Sequence, residues 1–306
     1  MAYYPANSTY PSMLGELFSA AFTAPAFNWI CSPAVTELET IVLDWLAGIF
    51  NLPACYLSEG EGGGVIHGSA SEAVLTVMVA ARERYLEKAC KGFEGEEKER
   101  KKAEVRGRLV ALGSEQSHSC TAKGALIAGV RFKSIHCSLE DDLAMTGAGL
   151  DAMLDECKRE GLEPFYLTAT LGTTATCTTD RFREIKDVVK AHPDIWVHVD
   201  AAYAGAALVC EEYQHHTEHF AAFDSFNMNM HKWLLTNFDA RYAPSPKISC
   251  PLQTHYHSAV FSSATAQPSP PPSLSPHPSS VTISPPPASS RTTATGKSPL
   301  GGASAP

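Results

Sequence analysis

Apolar residues at Val35, Leu38, Ile41, Val42, Trp45, Leu46 and Ile49 recur every three or four positions, which predicts an amphipathic helix. Ser32 and Pro33 precede it; serine can accept hydrogen bonds from free N–H groups and proline suits the first helical position. A glycine run, Gly62-Gly63-Gly64, leads through Val65-Ile66 to Gly68-Ser69-Ala70-Ser71-Glu72. Ala73, Val74, Val77, Met78 and Ala81 then continue as a second helix. Charge dominates from Glu83 to Arg108, with eight charged residues in the nine from Glu94 to Lys102, the pattern of a solvated helix end or surface loop.

Beyond this stretch, short apolar runs alternate with helical patterns. The runs are Leu109 to Leu112, Val130 to Ile135, Phe165 to Thr170, Ile195 to Val199, and Ser225-Phe226. Helices are expected near Thr121 to Ala128, Asp151 to Glu160 and Arg181 to Lys190. Strands separated by helices of this length indicate an α/β fold with a mostly parallel sheet flanked by helices. Ligands of such sheets sit at the carboxyl ends of the strands. Chemistry is therefore sought at Gly113 to His118, Leu171 to Thr174, Asp200 to Ala202 and Asn227 to Lys232.

Composition divides the chain. Residues 241–306 hold 14 of the 21 prolines, four Lys/Arg and no Asp or Glu, so the body carries about −13 and the tail about +4 of the net −9. The tail, rich in proline and serine, is expected to be disordered, since it has too little apolar surface to offset its ordering entropy. The acidic body lacks a basic stripe, which argues against nucleic-acid binding. No run reaches the ~18 apolar residues of a membrane span, and the start lacks a basic, apolar leader, so cytoplasmic residence is expected. Nine cysteines without a CxxC pair fit reduced thiols rather than disulfides or structural zinc.

Three groups carry candidate chemistry. Gly68-Ser69-Ala70-Ser71 at a helix start offers N–H groups, a hydroxyl and the positive helix end to an anion such as phosphate, although a plain cap has the same composition. Asp200 ends a buried strand, where a carboxylate needs a cationic or N–H partner; a protonated pyridine nitrogen is one such partner. Lys232, flanked by apolar and aromatic residues in Asn229-Met230-His231-Lys232-Trp233, has the surroundings that turn a lysine into a nucleophile.

The segments PANSTYPSML, SPAVTELE, GGGVIHGSASEA, ATLGTT, HVDAAYAG and NMHKWLL resemble the group II pyridoxal-phosphate-dependent amino-acid decarboxylases, specifically the aromatic-L-amino-acid decarboxylase branch. The resemblance spans residues 1 to about 240 in the family's order. It implies the fold-type I architecture of aspartate aminotransferase and a homodimer with the active site at its interface. It further implies a carboxy-lyase that converts an aromatic L-amino acid to its amine with pyridoxal 5′-phosphate. Residue by residue, Lys232 would hold the cofactor covalently, Asp200 would pair with its ring nitrogen and His118 would stack on the ring. Ala202 would line the other ring face and Thr174 would lie beside the ring and Asp200. Ala70, Ser71, Asn229 and His231 would hold the phosphate. Tyr3, Tyr4 and Pro5 match the substrate pocket, and Phe27 matches a residue lent to the neighbouring subunit.

The chain departs from the family at His67, where glutamine is usual, and at Met230, where many members have proline. Relative to the family it is expected to be truncated at both ends, lacking the N-terminal clasp, the mobile catalytic loop and the C-terminal small domain. The corresponding division is a remnant N-terminal segment at 1–30, a cofactor-binding large domain at 31–240 and the tail at 241–306. Such truncation is expected to impair activity, leaving a fragment that binds cofactor or a full-length relative as the alternative.

Without the resemblance each residue has a plain structural reading. His118 suits a core position satisfied by backbone, Asp200 a helix cap and Thr174 a turn, while Tyr3 and Tyr4 suit a frayed terminus. His215-His216-Thr217-Glu218-His219 also matches the inverted zinc-protease signature, in which two histidines four apart on a helix hold metal. No third ligand has a suitable context, so no metal site is assigned.

Overall fold

The computed structural model describes residues 7–25, 29–60 and 62–237 and two short strands at 242–243 and 260–262. The chain divides into a unit from Met1 to Ala266, which contains every described residue, and a second from Gln267 to Pro306.

The sheet is the expected α/β design. Strands β2 (Leu109–Ser114), β3 (Arg131–Ile135), β4 (Glu163–Thr170), β5 (Trp196–Asp200) and β6 (Ser225–Asn227) are parallel, in the spatial order β3-β2-β4-β5-β6. Helices α5 (Cys120–Ala128), α6 (Gly147–Arg159) and α7 (Phe182–Val189) provide the first three crossovers, and three short 3₁₀ segments between Ala204 and Ala222 provide the last. Every residue of β2, β5 and β6 is buried, as the continuous apolar runs require of strands covered on both faces. In register, Thr168, His198 and Ser225 form one row across β4, β5 and β6, and Thr170, Asp200 and Asn227 form the next row of the same face.

Helix α3 (Ala70–Ala89) buries Ala73, Val74, Val77, Met78, Ala81 and Leu86 against this sheet and α5. The charged stretch resolves into the end of α3 and a surface helix, α4 (Gly95–Arg106), which buries only Val105. There Lys98 and Lys102 both pair with Glu87 on α3. Phe182, Phe220 and Phe223 pack their rings 5.1–6.0 Å apart, and Phe226 joins them through Phe220 at 5.8 Å. Beside them the buried Tyr56 hydroxyl donates towards the Phe220 and Phe223 carbonyls at 3.1 and 3.0 Å.

Four features differ from expectation. Ser32 makes no side-chain cap on α2 (Pro33–Ile49), although Pro33 does take the first helical position. The periodic face of α2 is not core: only Leu43 and Ala47 are buried, whereas Leu38, Ile41, Trp45 and Ile49 are exposed. Ahead of it lies an unanticipated helix, α1 (Tyr10–Phe22), whose Tyr10, Met13, Leu14, Leu17, Phe18 and Phe22 are all exposed. Within 241–306, where disorder is expected, β7 (Tyr242–Ala243) pairs with β1 (Val65–Ile66), and β8 (Val260–Ser262) adds antiparallel to β6. An open edge of unpaired N–H and C=O groups needs only a backbone to extend it, so composition does not forbid such pairing. The rest of 241–306 lies outside the described residues. Among the described residues no helix is long and apolar enough to cross a membrane.

Candidate active site

The parallel strands all end at one edge, and that edge collects the residues singled out by the sequence. Asp200, 4% exposed, closes β5. Its Oδ1 accepts the Ala202 N–H at 3.0 Å, and the Ala202 carbonyl accepts the Asn229 N–H at 3.2 Å. The Asp200-Ala201-Ala202 turn is thereby tied to the loop that carries Lys232. Gly205 lies over the same turn because a Cβ there would come within 2.9 Å of Met228 and 3.0 Å of Ala201.

Beneath Asp200 runs a buried polar chain that the sequence did not reveal. Trp196 Nε1 donates to Ser225 Oγ at 2.7 Å, Ser225 Oγ meets His198 Nδ1 at 2.8 Å, and His198 Nε2 meets Asn227 Oδ1 at 2.9 Å. With Ser225 donating to Nδ1, the imidazole is neutral and gives its Nε2 proton to Asn227. Burial holds the His198 pKa down near 4, against the opposing pull of Asp200 and of the Asn227 hydrogen bond.

On the loop after β6, Asn229 is buried at the N-cap of a single helical turn, α8 (Met230–Trp233), which presents the buried His231 and the half-buried Lys232. Trp233 stacks on Tyr203 at 5.3 Å between ring centroids and donates Nε1 to the Tyr203 carbonyl at 2.6 Å. The loop after β4 brings Thr174 to the same edge, half-buried. It passes Ala204 so closely that Gly172, at φ +81°, leaves no room for a Cβ: one would lie 2.4 Å from the Ala204 Cβ.

His118 follows β2, exposed, and its Nδ1 accepts the Cys120 N–H at 3.1 Å, which fixes the ring plane. At the start of α3, Ser69 caps by accepting the Glu72 N–H at 3.0 Å, and the Glu72 carboxylate accepts the Gly68 N–H in return. The first-turn N–H groups of Ala70 and Ser71 are not consumed by the helix ladder. Electrostatics ties the edge together at Cys120: burial pushes its thiol up to about 12, the Asp200 carboxylate adds to the rise and the Lys232 ammonium opposes it.

Among the sequence-derived positions, Ala70, Ser71, His118, Thr174, Asp200, Ala202, Asn229, His231 and Lys232 all belong to this edge or to its loops. Tyr3, Tyr4, Pro5 and Phe27 lie outside the described residues. His67, one residue before Gly68, is buried with neither ring nitrogen partnered among the described residues, and burial lowers its pKa to about 4. Two residues to which the sequence reading gave no role complete the picture: Asn7, hydrogen-bonded to the Lys232 loop, and Cys120.

The donor set fits pyridoxal phosphate. Thr170 Oγ1, Asn227 Nδ2 and Asn229 Oδ1 are buried polar atoms without a partner among the described residues. Such groups cost about 1–3 kcal/mol each when left unmet, so polar ligand atoms at this edge would be stabilising. A helix start suits a phosphate and a fixed carboxylate suits a pyridinium nitrogen. The zinc alternative fares differently. His215, His216 and Glu218 lie on a 3₁₀ segment (Glu211–Thr217) and its end rather than an α-helix, so the four-residue spacing no longer places two imidazoles on one face. The described residues contain no group of three His, Cys, Asp or Glu side chains able to hold a metal.

Comparison with known proteins agrees with this geometry. Residues 1–242 match the pyridoxal-dependent decarboxylase conserved domain. Tyrosine decarboxylase 2 of Narcissus pseudonarcissus is 45% identical over 241 residues, covering 78% of this chain and 46% of the relative. The crystal structure of Catharanthus roseus tryptophan decarboxylase in complex with L-tryptophan superposes with a TM-score of 0.72 at 34% identity, covering 86% of this chain and 50% of that one. Rhodiola rosea 4-hydroxyphenylacetaldehyde synthase gives the same TM-score, identity and coverage. The chain spans about half the length of the relatives it matches. Its parallel sheet, the chemistry gathered at the sheet's carboxyl edge and the match over residues 1–242 make it a member of the pyridoxal-dependent decarboxylase family.

Proposed function

We propose that this chain carries the cofactor-binding part of an enzyme that decarboxylates an aromatic L-amino acid to the corresponding amine, with Lys232 as the covalent attachment point of pyridoxal 5′-phosphate. The observation that supports this most is geometric: the Ala202 N–H donates to Asp200 Oδ1 at 3.0 Å while the Ala202 carbonyl accepts the Asn229 N–H at 3.2 Å, which ties the strand-end carboxylate to the loop that carries Lys232. When bound, the cofactor supplies an electron sink for the bond between the substrate's α-carbon and its carboxylate.

The chain's own residues divide the remaining work. The N–H groups of Ala70 and Ser71, with the Ser71 hydroxyl, Asn229 and His231, hold the phosphate. Asp200, kept rigid by the Ala202 N–H, holds a proton on the ring nitrogen. The neutral His198 below it adds no competing positive charge. His118 covers one ring face, its plane fixed by Cys120, and Ala202 lines the other, with Thr174 beside the ring. Tyr3, Tyr4 and Pro5 are proposed for the aromatic side chain of the substrate and Phe27 for the partner's site.

The apolar faces of α1 and α2 support a homodimer, since contiguous exposed apolar surface of this kind marks an interface. The same reading places the chain in the cytosol, where unpaired thiols such as Cys90, Cys120, Cys137 and Cys157 remain reduced.

Two measurements test the reading. Borohydride reduction of the chain loaded with pyridoxal phosphate, followed by peptide mapping, is expected to place the pyridoxyl group on Lys232; a label on another lysine overturns the assignment. Carbon dioxide release from L-tyrosine, L-tryptophan, L-DOPA or L-histidine tests turnover, and Asp200→Asn is expected to reduce it by orders of magnitude with the fold retained. Label on Lys232 without turnover of any of the four supports the second reading, a cofactor-binding chain without catalysis of its own. Aldehyde as the product in place of amine supports chemistry like that named for the Rhodiola relative.

A further inference from the structure

The chain's first described residues are fastened to the loop that carries Lys232. Asn7 donates its backbone N–H to the His231 carbonyl at 3.3 Å and its side-chain Nδ2 to the Lys232 carbonyl at 2.8 Å. Thr9 Oγ1 donates to the Leu235 carbonyl at 3.0 Å, and Ser12 Oγ accepts the Asn237 N–H at 2.7 Å. Ser8 and Glu16 add side-chain contacts to Asn237. One turn of helix, four residues long, cannot hold its own direction, because nucleating a turn fixes several dihedrals for a single hydrogen bond. The carbonyls at the end of such a turn have no helical partner, and here two of them are taken up by one asparagine.

We infer that Asn7 is a positioning residue for the lysine: by holding the His231 and Lys232 carbonyls it sets the direction in which the Lys232 side chain leaves the backbone. The inference rests on the cofactor reading of Lys232 and goes beyond it, because that reading gives Asn7, although it lies in the PANSTYPSML segment, no role at the site. Asn7 touches neither cofactor nor substrate in this role. Its effect passes through the backbone of residues 231 and 232.

The test uses the full 306-residue chain with Asn7→Ala, Asn7→Asp and Thr9→Ala. Asn7→Asp is the decisive variant. It keeps the shape and the backbone donor but turns the side chain that faces the Lys232 carbonyl from donor to acceptor, so a role in packing alone would leave it close to the parent. Two readouts are taken, with circular dichroism to confirm that each variant keeps its fold. In the cofactor-free chain, hydrogen exchange of the peptide covering residues 230–235 is expected to quicken about tenfold in Asn7→Ala, the scale set by the one side-chain hydrogen bond that is lost while the backbone donor to His231 remains. With pyridoxal phosphate added, the rate at which borohydride traps label on Lys232 is expected to fall by a similar factor in Asn7→Ala, further in Asn7→Asp, and about threefold in Thr9→Ala. Parental exchange and parental labelling in both Asn7 variants would overturn the inference, as would Asn7→Asp labelling faster than Asn7→Ala. Should the parent itself take no label on Lys232, the cofactor reading falls. The exchange arm would still report whether Asn7 holds the loop.

Discussion

The sheet and the two N-terminal helices use the same currency of apolar residues to different ends. In β2, β5 and β6 the side chains are buried without exception and Phe226 packs its ring on Phe220. On α1 and α2 an equally regular apolar stripe faces outward, with Trp45 64% and Phe22 78% exposed. Periodicity therefore tells which face of a helix is apolar, and the surrounding chain decides whether that face is covered. A stripe left bare in one protomer implies a surface meant to be covered by something else, here proposed to be a second copy.

Substitutions on the two sides should separate core from interface. Phe226→Ala removes a fully buried ring from the aromatic cluster and is expected to cost about 3–5 kcal/mol in chemical denaturation. A cost below 1 kcal/mol would mean that the sheet core is looser than the packing of these rings indicates.

Acid should act on the core and not on the stripe. His67 and His198 are buried neutral with pKa values near 4, below the 6.5 of an exposed histidine, so the unfolded chain binds protons that the fold refuses. Their contribution is present above pH 6.5 and is lost as pH falls towards 4. For His67 alone the loss at pH 5 is about 2 kcal/mol relative to neutral pH. Replacing it, as His67→Met, is expected to flatten the stability profile between pH 7 and 5, measured by urea titration at each pH. An unchanged slope would show that His67 is hydrated or paired when folded.

A smaller effect is expected for Tyr56→Phe. Loss of the hydroxyl leaves the Phe220 and Phe223 carbonyls without that donor, for about 1–2 kcal/mol, with packing otherwise intact. A rise in melting temperature would contradict the role given to this hydroxyl.

The smallest change in stability is expected for Trp45→Glu on the exposed stripe, within about 0.5 kcal/mol in the isolated protomer. Its consequence should appear in association: sedimentation velocity is expected to show the variant shifted towards monomer relative to the parent at equal concentration. Identical association in both would remove α2 from the proposed interface.

These contrasts also explain what could be read from the sequence. The five parallel strands were legible because each is a short apolar run bounded by turn or helix signals, and such runs have few alternatives in an α/β chain. The places of Asp200 and Lys232 were legible because they lie just past two of those runs, where such sheets place ligands, and that of Ser71 because it lies at a helix start. Helix α1 was missed although Tyr10, Met13, Leu14, Leu17 and Phe18 keep a helical spacing. Helix α2 was found but its exposed face was not, because no local pattern records what lies opposite. The polar chain from Trp196 to Asn227 depends on the register between β5 and β6, which the sequence does not print. Asn7 was out of reach for the same reason, as its partners are long-range.

That last contact has a consequence in time. Asn7 and Lys232 are 225 positions apart, so the contact closes one of the longest loops the described chain can form. Contacts of large sequence separation form late, because the entropy of closing the loop must be met before they give anything back. During synthesis the segment from 7 to 12 must wait, without its partner, until the ribosome has passed Asn237. The sheet edge can be complete before that moment, but the loop bearing Lys232 acquires its fixed direction only after it. On the positioning role inferred for Asn7, maturation of the site is coupled to a late stage of folding, and a nascent chain has an interval in which it is folded in outline yet not ready to capture its cofactor.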